Sequence, residues 1–178
     1  MNRIQGCASV VSFHSTAMLL SSLMRRVFSM STTLTLLGTK QARVGLTFLH
    51  CGAVENCKEC KLLIVCQKLE PGRVYEVVKS RGIVHPCAIH EAGVTLVEVR
   101  EAAIPALLDR RSCFLGALIA YSPEKCDRMD CEEYKLCNPA GLRVNDKCRI
   151  EEIIEKVEGK CALRRQLSLC RLRRVPAT

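Results

Sequence analysis

The chain has no tryptophan, and aromatic residues make up only 4% of it. A core built on stacked rings is therefore excluded. Packing must come from Val, Leu and Ile, with metal sites as a possible supplement. A surface that reads single-stranded nucleic acid by base stacking also lacks material, since rings are few, with Phe48, Tyr75, Tyr121 and Tyr134 as the candidates for such a role. No apolar run reaches the length of a membrane span. The run at 18–23 is short and serine-diluted, so no membrane partner is expected and the expected location is cytoplasmic. Phosphate loops and dinucleotide fingerprints are missing too. Gly38-Thr39-Lys40 lacks the glycine pattern that would make its lysine a phosphate ligand.

Acids are missing from both ends. Residues 1–29 carry Arg3, Arg25 and Arg26 against no Asp or Glu. Residues 159–178 carry Lys160, Arg164, Arg165, Arg171, Arg173 and Arg174, again with none. These two segments account for the whole net charge of +9, so residues 30–158 are balanced. Four thiolates around one zinc ion would leave about −2 at each site and turn that body acidic. The C-terminal arm is then the one part suited to phosphate, and the expected partner is RNA or a ribonucleoprotein.

Cysteine is abundant, at 13 of 178 residues. An odd count, this length and a Cys57-x2-Cys60 pair argue against a secreted disulfide scaffold. Cys7, Cys51 and Cys113 stand alone and read as inert buried thiols. The others fall into two groups. The first is Cys57-x2-Cys60-x5-Cys66, with Cys87 further on and His85 and His90 beside it as substitute ligands or donors to sulfur. A Cys-x2-Cys turn brings two sulfurs to one ion with little backbone strain. The second is Cys126-x4-Cys131-x5-Cys137-x10-Cys148, with Cys161 in reserve and Cys170 in the basic arm. The loops between these cysteines are polar and bury little surface unless an inorganic centre organises them. Gaps of four and five residues suit a [4Fe–4S] cluster, and zinc remains the other choice. Cys57 and Cys60 could also form a redox dithiol, but the strand and long helix that frame such sites are not evident. Enzymatic activity is left open.

Segments 33–37 (TLTLL), 44–49 (VGLTFL), 74–78 (VYEVV), 83–85 and 94–99 (VTLVEV) read as short strands. The second half reads differently. Residues 101–111 have helical composition, 115–121 are a strand or buried segment, and 123–148 are loops. In 149–157, Ile150, Ile153, Ile154 and Val157 share one helical face, with Gly159 as its cap. The expected class is α+β, a small curved antiparallel sheet or barrel followed by cysteine-rich metal-binding loops and a short helix. The expected domains are a disordered or artefactual leader (1–29, with translation beginning at Met30), a β-rich domain with the first cysteine group (30–100), a helix with the second group packed on it (101–158) and a basic arm (159–178). The halves are not obvious repeats, although each has a close cysteine triplet and a distant fourth.

Several strings taken in order resemble one known family. They are LGTKQARVG at 37–45, CKEC at 57–60, CQKLEPGRVYEVV at 66–78, HPCAIHEAGVTLVEV at 85–99, a C-x4-C-x5-CNPAGL run at 126–142 and DKCRI at 146–150. The chain is similar over about residues 30–170 to the archaeal uncharacterised protein family 0179. The resemblance implies an archaeal cytosolic protein with a recurrent cysteine set and no established activity. It carries over Cys57, Cys60, Cys66, Cys87, Cys126, Cys131, Cys137 and Cys148. The resulting expectation is a thiolate-ligated metal-binding protein, with an RNA-associated module or an iron–sulfur redox protein as its two forms.

Overall fold

The computed structural model describes residues 32–123, 125–159, 161 and 163–175. The leader at 1–29 lies outside them. The chain divides into two compact units, one ending at Arg100 and the other beginning at Glu101.

The first unit runs β1 (Thr33–Gly38), β2 (Thr47–His50), the one-turn helix α1 (Leu63–Cys66), β3 (Arg73–His85) and β4 (Val94–Glu101). Its sheet has the order β1-β4-β3-β2, a meander of three strands with β1 laid against the last, which is a Greek-key connection. Alternation builds it. Val97 and Val99 of β4 are fully buried, and they pair with Thr35 and Thr33 of β1. Leu37, Phe48, Leu69, Tyr75 and Val77 complete that core cluster. Burying each such side chain contributes about 1.5–3 kcal/mol. The buried Thr35 hydroxyl donates to the Val65 carbonyl at 3.3 Å, which ties the cysteine segment to β1.

The second unit runs β5 (Ile104–Asp109), β6 (Leu118–Ala120), the one-turn helix α2 (Tyr134–Cys137), β7 (Lys147–Val157) and β8 (Leu167–Arg174). Its sheet has the order β5-β8-β7-β6, the same topology as the first. The repeat extends to single hydrogen bonds. The Gly45 amide donates to Val77 and the Val77 amide to Leu46, at 2.8 and 2.9 Å; Gly116, Ile150 and Ala117 repeat both bonds at the same lengths. The amides of Cys66 and Gln67 reach the carbonyls of Leu62 and Leu63, as those of Cys137 and Asn138 reach Glu133 and Tyr134. The chain is one β-module built twice.

The α+β expectation is therefore corrected. The molecule is mostly β, with two curled antiparallel sheets and two single-turn helices among the described residues. Residues 149–157 belong to strand β7, whose pairing with β8 is interrupted by bulges between Ile150 and Glu152 and between Ile153 and Glu155. Each bulge adds a residue, so Ile150 and Ile153 face Leu172 and Cys170 three positions apart instead of two. That spacing imitates a helical face. The segment 101–111 holds strand β5, not a helix. Pro105 is tolerated because β5 is an edge strand of its sheet. Ile104, Ala106 and Leu108 alternate inward. The segments 74–78 and 83–85, read as separate strands, are one strand, and β3 continues through Gly82 to His85. The basic segment supplies β8, which lies between β5 and β7.

Candidate metal centres

In each unit the cysteines come from two connections, the one after the second strand and the one between the third and fourth. In the first unit, Cys57 closes a short 3-10 turn (Glu55–Cys57), Cys60 follows it, and Cys66 ends α1. The Cys57 carbonyl accepts from the Cys60 amide at 3.0 Å, the tight turn a Cys-x2-Cys pair requires. Cys87 follows β3, and its sulfur accepts from the Ile89 amide at 3.5 Å. Cys57, Cys60 and Cys87 all lie within electrostatic reach of Cys66. The Cys66 thiol is pushed up to about 11, by burial first and then by Cys60, Cys87 and Cys57. Clustered thiols resist becoming thiolates together, and a bound cation removes that resistance.

This shift carries a sign. The folded, metal-free chain holds a proton on Cys66 that the unfolded chain releases near pH 9. The stability it contributes is present below pH 9 and lost as pH rises towards 11. Denaturant melts of chelator-treated protein are expected to show stability falling across that interval, with Cys66→Ala removing part of the fall and the buried Cys170 thiol, also pushed up, accounting for another part. A profile that Cys66→Ala leaves unchanged would mean that the fold does not raise the Cys66 thiol.

In the second unit, Cys126, Cys131, Cys137 and Cys161 line one small cavity of about 20 Å³ together with Val157 and Leu167. Cys131 and Cys137 occupy the module positions of Cys60 and Cys66, as the matching turn bonds show. Cys161 lies between β7 and β8 as Cys87 lies between β3 and β4.

Cys148 is placed elsewhere. It is fully buried in the core with Ala106, Leu108, Tyr121, Ile150 and Leu172. It pairs with Ile119 across β6 and β7, as Tyr75 pairs with Phe48 across β2 and β3. Cys148 thus fills the site of a core tyrosine. Of the eight sequence-selected cysteines, the structure groups four in the first unit and three in the second, and it joins Cys161 to the second group. The spacing that favours Cys148 counts residues along the chain. The repeat instead places the fourth cysteine after the long third strand. Cys170 and Cys113 form a separate pair, with Sγ atoms 3.2 Å apart and the Cys170 thiol pushed up to about 12 by burial and by Cys113.

Among the described residues, no group of three or more His, Cys, Asp or Glu side chains is set as it stands to hold a metal ion. Binding would require the thiols to draw inward. His90 packs its ring against Gly38, where a Cβ would lie 2.8 Å from Nδ1. His50, which the sequence did not single out, has a lowered pKa from burial. Its Nε2 is buried without a hydrogen-bond partner, and its ring meets Tyr75 edge-on. The cations of the expected RNA-contacting arm are largely engaged. Arg171 faces Glu152 at 3.4 Å, Arg173 faces Glu151 at 2.5 Å and Arg174 faces Glu101 at 2.5 Å. Lys160 lies outside the described residues. No described helix is long and apolar enough to cross a membrane.

Fold and cysteines together define a class: a mostly β protein of twin Greek-key modules, each bearing a cysteine group on its connections. The chain belongs to an uncharacterised protein family, UPF0179, whose model matches residues 33–172. Its relatives are archaeal. The UPF0179 protein of Methanosarcina barkeri is 43% identical over 131 residues, which cover 73% of this chain and 88% of that one. That of Pyrococcus horikoshii is 43% identical over 126 residues, covering 70% and 87%. That of Archaeoglobus fulgidus is 36% identical over 142 residues, covering 79% and 93%. No solved structure matches the chain.

Proposed function

We propose that this is a metal-binding protein in which each module holds one zinc ion through four thiolates. The ligands are Cys57, Cys60, Cys66 and Cys87 in the first unit, and Cys126, Cys131, Cys137 and Cys161 in the second. The observation that carries this reading is the repeat. Two modules with different core residues, such as Tyr75 against Cys148 and Val97 against Cys170, both keep thiols on the same two connections. Packing alone gives no reason for that agreement. Zinc is preferred to an iron–sulfur cluster because the cavity among the second four thiols, about 20 Å³, has room for little more than one water-sized body. The ion's role is structural. It clips the long connection after the second strand to the turn before the fourth.

The test is anaerobic purification of the full chain, followed by metal and acid-labile sulfide analysis and by melting before and after chelation. The expected result is about two zinc ions per chain, no sulfide and a lower Tm after chelation, because structural zinc sites contribute directly to folding. Brown protein with stoichiometric sulfide would replace zinc with a cluster. Metal-free protein that melts unchanged in the presence of excess zinc would overturn the reading.

A further inference from the structure

An open cleft of about 510 Å³ lies in the second unit where β7 ends and β8 begins. Its walls include Arg110, Glu158, Arg164, Arg165, Gln166 and Cys161. Three arginines and one carboxylate thus line it, and Arg165 Nη2 donates to the Lys125 carbonyl at 2.8 Å. That carboxylate is already engaged, since Glu158 Oε1 accepts from Arg110 Nη2 at 2.9 Å. Arg110 Nε is buried and has no hydrogen-bond partner.

The first unit shows what the fold itself requires at these positions. The Arg110 amide donates to the Gln166 carbonyl at 3.0 Å, and the Thr39 amide donates to the Gly93 carbonyl at 3.0 Å. Thr39 therefore stands where Arg110 does, and Gly93 where Gln166 does. Between turn and strand the second unit has two extra residues: the Gly93 amide donates to the His90 carbonyl and the Arg164 amide to the Cys161 carbonyl, both at 2.8 Å, so Arg164 at φ +54° answers to Gly93 at φ +72° and Arg165 has no counterpart. The same module is built there with a threonine and a glycine, so its packing does not call for arginine. Arg164 also sits at φ +54°, a left-handed conformation that glycine would adopt freely and a long side chain resists. The second unit keeps an arginine here despite backbone preference.

We propose that this cleft is a binding site for a small phosphate-bearing molecule, of about the size of a mononucleotide or sugar phosphate. Arginine forks match phosphate oxygens in two-point hydrogen bonds. The volume falls within the roughly 300–1,000 Å³ of small-molecule sites. Cys161 and Arg165 line both this cleft and the cavity among the second four thiols, so the ligand would lie against the second metal centre. The inference goes beyond the metal reading and does not need it, because the guanidinium groups are in place without an ion.

The experiment titrates pyrophosphate into the full chain by calorimetry, in metal-replete and chelated samples, with a single-stranded RNA oligomer as a parallel arm at the same salt. Saturable binding is expected in both samples. Arg164→Gln and Arg164→Gly should each weaken it about tenfold or more, the loss of a charge-assisted contact. The glycine variant suits the backbone at φ +54° and so separates lost contact from misfolding. Arg171→Gln, which removes a cation paired to Glu152 outside the cleft lining, should leave binding unchanged. Absent saturation, or equal loss in the Arg164 and Arg171 variants, would overturn the site, as would RNA binding with pyrophosphate ignored. Pyrophosphate binding by a chain that takes up no zinc would uphold the cleft and remove the metal reading.

Discussion

Replacing Cys161 with serine is expected to empty the second metal centre while leaving the first loaded. Loss of a direct ligand should weaken binding by more than the roughly 10–100-fold typical of losing an outer-sphere partner. Cys148→Ala is expected to do the opposite. It should leave metal content unchanged and lower stability by about 1–3 kcal/mol, because it hollows a fully buried core position. Metal analysis of the two purified variants, with chemical denaturation of each, separates these outcomes. The contrast is demanding because Cys148 is nearer in sequence to Cys137 than Cys161 is. If Cys148→Ala lost the ion and Cys161→Ser kept it, the equivalence of the two units would fail as a guide to ligands.

The second large effect is expected at Gly93, in the turn that carries the Cys87 loop into β4. Its φ is +72°, and a Cβ there would lie 2.5 Å from the His85 carbonyl oxygen. Gly93→Ala therefore meets left-handed strain, about 1–2 kcal/mol for a residue with a Cβ, and a backbone collision that no rotamer relieves. Gly116 is the control, with φ +80° but nothing within 4 Å of where an alanine methyl would lie. Its alanine variant should show the conformational cost alone. In urea melts, Gly93→Ala should be destabilised by clearly more than Gly116→Ala, and should also lose metal from the first centre. Equal costs would mean that the turn yields and does not hold the loop.

The parts of the fold that are legible in the sequence are those where period-two alternation runs unbroken. Val94, Leu96 and Glu98 against Thr95, Val97 and Val99 mark β4, and Thr33–Gly38 behaves the same way. The illegible parts each have a physical cause. Two bulges give β7 a helical period. In β5, Pro105 and the small Ala106 resemble a helix start. In β8, Arg171, Arg173 and Arg174 read as solvated charge, yet each meets a carboxylate of its own unit. In the first cysteine group the Cys-x2-Cys spacing marks the tight turn at Cys57–Cys60. The second is readable only in part, since its fourth member follows the bulged strand whose period imitates a helix. The shared Cys-x5-Cys spacing of Cys60–Cys66 and Cys131–Cys137 is the available sign of the repeat.

The strand orders also constrain how the chain is made. β4 lies between β1 and β3, and β8 lies between β5 and β7. In each sheet the strand synthesised last is the one that joins the strand synthesised first to the others. A nascent chain must hold β1 unpaired until β4 leaves the ribosome, and then wait again with β5 for β8. Each wait exposes an apolar strand edge, the condition under which neighbouring chains pair wrongly.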